Sequence, residues 1–291
     1  MFIAKAVAAT LLAGSFGGLT APPSGEAAAY DKQTRLEAER VACMTEQGLD
    51  YVAAPEPHHT WQAGEKERLA GDLKALRTYR AKYGFGVWSP NVYPKDPAVN
   101  PVQHDNPNNK TLMSLSDGEL KKWRAADQTC FSRAAKKVLG KTVTSQEDYD
   151  DQLHAAVDTS LRVLDQDKQL VTLGKQFAAC LGVSQTRPTK LDVLSHTKVV
   201  RQASDVAKKA WKGELPKGSE NAVFRPNLKP EQAKPHLAKE IKAALKDLEC
   251  GKDFYPAYAP KATDITSRVY QEFGRSDAAQ AISTRIYRKL V

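Results

Sequence analysis

The chain has 291 residues, 26% of them charged and 41% hydrophobic, and 43 Lys and Arg against 34 Asp and Glu leave a net charge of +9. That balance excludes a bundle of membrane spans and leaves enough chain for one large domain or two small ones. A basic surface is drawn to anionic partners such as wall polymers, acidic lipids or stray nucleic acid. From Lys190 to Glu249, however, thirteen basic residues are interspersed with eight acidic ones, which is the pattern of an ordinary solvated surface.

The N-terminus opens with Met1 and Lys5 and then runs apolar and small from Ala6 to Leu19. Pro22, Pro23 and Gly25 come next, then Ala27-Ala28-Ala29. A charged start, a short apolar run and a small-residue exit read as a secretory signal peptide over 1–29, with Tyr30 as the first mature residue. The run is too short and too Gly-rich for a membrane span, which needs about 20 apolar residues. Leu12-Ala13-Gly14-Ser15 has the form of a lipoprotein box, but Ser15 stands where the acylated Cys would be, so no lipid anchor is expected.

Helical signals dominate the chain from residue 31 onward. Asp31 is placed to cap a helix reaching Gln47, with Gly48 to end it. Leu69, Leu73, Leu76 and Arg80 recur at helical spacing from Glu65 to Tyr83, and Gly84 stops the run. The stretch Ser89 to Leu115 carries Pro90, Pro94, Pro97, Pro101 and Pro107 with several Asn, and reads as an irregular surface loop. Ser116 and Glu119 form a capping box. Behind them Leu120, Trp123, Cys130, Ala134 and Val138 share one face up to Gly140. Ser145 starts a long pattern to Leu181, with a shift of face near Gln166 that predicts a bend or two helices. A shorter helix fits His196 to Lys212, and Gly213 to Lys229 is irregular. Pro230 suits the first turn of the next helix, whose buried side is Leu237, Ile241, Leu245 and Leu248. The last helix is expected from Thr263 to Leu290. No sustained alternating pattern appears, so the fold class is all-α.

Two pairs of segments look alike. Val41-Ala42-Cys43-Met44 matches Ala178-Ala179-Cys180-Leu181, each at a helix end and each followed by Gly. Glu119-Leu120-Lys121 leads through Asp127 to Cys130, and Glu240-Ile241-Lys242 leads through Asp247 to Cys250. The repeat suggests two related helical modules, 30–150 and 151–291. Four cysteines allow three pairings, and equivalent pairing in each module gives Cys43–Cys130 and Cys180–Cys250. Loops of this length predict about 4 to 4.7 kcal/mol per bond in the chain-entropy model. A zinc site is not expected, because structural zinc ligands usually lie two to four residues apart.

The Cys-Met-x3-Gly-x-x-Tyr motif from Cys43 to Tyr51, the Tyr83-Gly84-Phe85-Gly86 turn, the Asn108…Leu115-Ser116…Glu119 segment and the Glu…Asp…Cys motif together resemble a group of exported actinobacterial proteins. The resemblance implies an envelope or secreted setting and no defined activity. Members of that group are often lipoproteins, a feature Ser15 removes here.

Catalytic signatures are absent from the sequence. The six histidines, at 58, 59, 104, 154, 196 and 236, include no His-x3-His pair and no metalloprotease motif. Glu147, Asp148, Asp150 and Asp151 lack the Gly and terminal Glu of a calcium loop and sit where a helix dipole favours negative charge. No nucleophile elbow or Gly-rich phosphate loop occurs in the mature part. Glu119, Asp127, Glu240 and Asp247 repeat, but are expected to cap or solvate helices rather than to form a paired-carboxylate site. No cofactor or metal is expected.

The candidate contact residues are aromatic. Tyr83, Phe85, Trp88 and Tyr93 cluster where the second helix gives way to the Pro-rich loop, and can form a platform for sugar or peptide or else pin that loop to the helices. The function expected from these features is an exported, non-enzymatic binding or structural protein of the cell envelope or extracellular space. Its expected partner is an anionic wall polymer or an envelope protein, with no specific nucleic acid. The alternative is a secreted hydrolase or toxin acting on an anionic polymer.

Overall fold

A computed structural model describes residues 25–55, 59–101, 105–184, 187–189, 195–210, 223–224 and 226–275. Residues 1–24, which carry most of the expected signal peptide, His58 and His104, most of 211–225 and the stretch from 276 onward lie outside the described residues. Every described element is helical, and no helix among them is long and apolar enough to cross a membrane.

The first helix, α1, runs from Gly25 to Glu46. It therefore starts ahead of the expected cap: Asp31 lies inside it, exposed, where its carboxylate reaches Arg35 one turn on at 3.7 Å. α1 runs unbroken across the Ala29–Tyr30 bond. It packs along α6 (Asp117–Leu139), and Cys43 and Cys130 are joined across the pair. The Ser116–Glu119 capping box starts α6, with the Ser116 N–H donating to Glu119 at 2.9 Å, and Gly140 ends it.

The helix expected over Glu65–Tyr83 is two helices, α2 (Glu65–Leu69) and α3 (Leu73–Tyr83). Gly71 breaks them. Its φ of +79° is left-handed, and a Cβ there would sit 2.4 Å from the Tyr255 carbonyl oxygen. Asp72 then caps α3 by accepting from the Ala75 N–H at 2.7 Å. Apolar spacing continues across the break, which is why periodicity alone joins the two.

The Pro- and Asn-rich stretch is less irregular than expected. It holds two short helices, α4 (Ser89–Val92) with Pro90 in its first turn, and α5 (Asn109–Ser114). Asn108 is buried and grips the Val52 backbone in both directions, accepting from its N–H and donating to its carbonyl, each at 2.8 Å.

α7 (Gln146–Leu161), a 3-10 turn (Arg162–Gln166) and α8 (Lys168–Leu181) realise the bend near Gln166. Ser145 caps α7 and Asp167 caps α8. Asp148 accepts from the Thr144 N–H at 2.7 Å, so the acidic cluster serves the helix start. α9 covers Ser195–Ala210, and α10 covers Pro230–Cys250 with Pro230 in its first turn. The final described helix, α11, is Phe254–Glu272 and begins nine residues before the expected Thr263. Pro256 falls in its first turn, where no N–H is needed, and Pro260 is tolerated inside it.

The largest core joins α1, α6, α7, α8 and α11, with Phe131, Leu153, Val157, Leu170 and Phe273 among its members. A second core lies between the Val87–Trp88 turn, α9 and α10. A smaller one contains Cys43 and Cys130, and another, formed by Phe177 and Phe254, has Cys250 packed against it. Cys180 on α8 is bonded to Cys250 at the end of α10, so both bonds pair as the repeat predicts, and no described Cys is free. Packing nevertheless crosses residue 150: α3 and α4 lie on α10, and α1 touches α11.

Candidate functional site

Each Asp three residues before a disulfide Cys meets a buried arginine. Asp127 takes the Arg40 guanidinium through both oxygens, at 2.7 and 2.8 Å. Arg40 also reaches Glu37 and lies over the Tyr51 and Phe131 rings. Glu37 in turn accepts from the Tyr51 hydroxyl and the Ala54 N–H, each at 2.9 Å.

Asp247, 1% exposed, accepts from Arg80 at 2.7 Å and from the Tyr255 hydroxyl at 2.5 Å. Arg80 donates further to the Ala244 carbonyl and to the Tyr255 oxygen. Burial works to lower the Arg80 guanidinium, but Tyr255 and Asp247 more than offset it and hold it above its ordinary value. The two arginines come from different places. Arg40 precedes Cys43 by three residues on α1, whereas Arg80 comes from α3 and Phe177 stands three before Cys180.

Glu240 is the second buried carboxyl on α10. The turn after α3 wraps around it: the Phe85 and Val87 N–H groups donate to Oε1 at 2.7 and 2.9 Å, and the Trp88 N–H donates to Oε2 at 2.9 Å. Gly84, at φ +64°, makes the close approach possible, since a Cβ there would lie 2.6 Å from Glu240 Cγ. Burial pushes the carboxyl up to about 7, against backbone N–H groups that favour the charged form. Glu240 and Asp247 are thus internal anchors, and the expectation that they cap or solvate a helix is corrected. Glu119 does cap α6. Asp127 is half-buried in its ion pair.

The four candidate aromatics separate into three environments. Tyr83 and Tyr93 meet edge to face at 5.8 Å, and the Tyr83 hydroxyl donates to Asp96 at 2.7 Å. Phe85 lies 5.1 Å from the His196 ring. Burial pushes that imidazole down to about 3, with Arg80 adding to the effect, so it is neutral. Trp88 stacks on His236 at 4.3 Å. Trp88 is 3% exposed and Tyr83 9%, so these rings pack the turn onto α10 and do not form one open platform.

Trp88 and His236 do line a cavity of about 690 Å³ between α9 and α10, together with Lys198, Lys209, Lys239 and Lys246. The Glu240 anchor fixes the turn that carries Trp88 to this cavity. Sequence reasoning misses these lysines because each sits among ordinary surface charges. Helical spacing is the signal that could have found them: 198, 202, 205 and 209 fall on one stripe, and 236, 239, 243 and 246 on another. Among the described residues no cluster of His, Cys, Asp and Glu is arranged to hold a metal. His59 meets Glu65 at 3.0 Å and the edge of the Trp61 ring.

No known protein family, curated protein or solved structure matches the chain.

Proposed function

We propose that this is an exported, non-enzymatic binding or structural protein of the cell envelope or extracellular space, with an anionic wall polymer as its partner. The observation that carries the reading is the α9–α10 cavity, where four lysines surround an aromatic pair. Two disulfides spanning 87 and 70 residues, and a net charge of +9, support it. Disulfides persist in oxidising, extracytoplasmic compartments. Glu240, the buried carboxylate lining the cavity, is occupied by three backbone donors, which favours binding over acid–base chemistry. A signal peptide over 1–29 and a tandem duplication belong to the same reading. The duplication is supported by two Asp-x2-Cys segments, each set against a buried arginine.

The test is co-sedimentation of the protein with purified cell wall, in low and high salt. Retention in low salt that is lost in high salt, and weakened by Trp88→Ala, is the expected result. No retention under any condition would remove the wall-binding reading.

A further inference from the structure

The lysines in the α9–α10 cavity are spread along it. Lys239 and Lys246 are seven residues apart on α10, about 10 Å along the helix axis, and Lys198 and Lys209 are eleven apart on α9, about 16 Å. One small anion therefore reaches only a fraction of them, while an extended chain reaches all. Among the described residues none of the four is paired with a carboxylate. Against them stand exposed Asp205 and the anchored Glu240. All four are ammonium groups, which bind phosphate as point charges approached from any side. Between the charges Val199, Val206 and Ala243 give the cavity an apolar floor, suited to the C–H faces of a polyol or sugar.

We propose that this groove holds one linear polymer of polyol-phosphate or sugar-phosphate repeats, laid along α9 and α10 so that successive phosphates meet successive lysines. The proposal rests on the wall-binding reading and names its ligand class and its site. A nucleic acid is the other phosphate polymer to weigh. Binding single strands relies on exposed rings for base stacking, and here the Trp88 ring is buried under His236.

The experiment measures binding of poly(glycerol phosphate), glycerol phosphate and single-stranded DNA of matching phosphate number to the intact, disulfide-bonded protein across a salt series. The polymer is expected to bind on the order of a hundredfold more tightly than the monomer, because linked phosphates engage the groove together. Four contacts predict a slope of log K against log salt of about −3. Lys239→Gln with Lys246→Gln removes two contacts and brings the slope to about −1.5. Lys121→Gln with Lys122→Gln, exposed on α6 and of equal charge change, leaves it at the wild-type value. All these sites are exposed, and circular dichroism confirms that each variant is folded. Equal weakening by the two double variants, equal affinity for monomer and polymer, or DNA binding as tight as the polyol phosphate would each overturn the proposal. If the wall retains the protein while poly(glycerol phosphate) does not, the groove assignment fails and the wall-binding reading stands. Polymer binding without wall retention gives the reverse.

Discussion

At the scale of single residues, the molecule is organised by charges taken out of water. Arg80, Asp247 and Tyr255 bond to one another inside the protein through Asp247 Oδ1, while Oδ2 is buried without a hydrogen-bond partner among the described residues, so the group is costly to break and cheap to replace as a whole. Removing one partner of a buried ion pair costs about 3–5 kcal/mol, because the other charge is left buried alone. Arg80→Leu is expected to fall in that range by urea unfolding, and adding Asp247→Leu is expected to recover most of the loss. An additive double variant would show that the pair is not coupled. Glu240→Gln keeps the side-chain length but offers one oxygen to three donors and turns an amide toward one of them. An unsatisfied buried N–H costs about 1–3 kcal/mol, so a lowered unfolding midpoint of that size is expected. The same substitution should loosen Trp88, seen as a shift in tryptophan emission. None of this is legible in the sequence. The spacing from Asp to Cys is visible there, but nothing in it reveals that Arg80, 167 positions away, is the partner.

At the scale of elements, the sequence is legible wherever a local chemical signal sets the boundary. Ser116 with Glu119, Ser145, Gly140 and Pro230 each act through atoms within a few residues, and each starts or ends a helix where expected. It misleads where a distant contact decides. The α2–α3 break depends on the Tyr255 backbone lying against Gly71, while the apolar spacing continues across it. The start of α11 is masked by two prolines that the helix accommodates. The groove is partly legible: Trp88 stands out in the sequence, but the lysines emerge only when α9 and α10 are set side by side. Gly71→Ala tests the break directly. With a left-handed φ and a carbonyl oxygen at 2.4 Å, the change should cost well over the roughly 0.4–1 kcal/mol that Gly→Ala returns at compatible sites. Thermal melts would report it, and an unchanged midpoint would mean that the Tyr255 backbone is free to retreat.

For the whole molecule, stability should depend on pH with two opposing signs. Asp167 is held below its ordinary value by Lys261, Asp148 by the Thr144 N–H and Asp96 by the Tyr83 hydroxyl. For groups lowered on folding, the contribution is complete above the unfolded value near 4 and is lost as pH falls through the folded one. Glu240 has the reverse sign. Its folded value near 7 stands above the ordinary 4.5, so its contribution is full below 4.5 and fades as pH rises through 7. The melting temperature should therefore peak on the acid side of neutrality, and the decline on the neutral side should flatten in Glu240→Gln. A melting temperature that climbs steadily to pH 9 would contradict this assignment.

The positions of the two S–S bonds make the backbone a pair of closed rings, 43–130 and 180–250, joined by an open string through α7 and α8. A protease that nicks either ring leaves its fragments tethered, and a non-reducing denaturing gel still shows one band at full mass. A single cut in the string, between Phe131 and Ala179, parts the chain into two bands on that gel without any reductant.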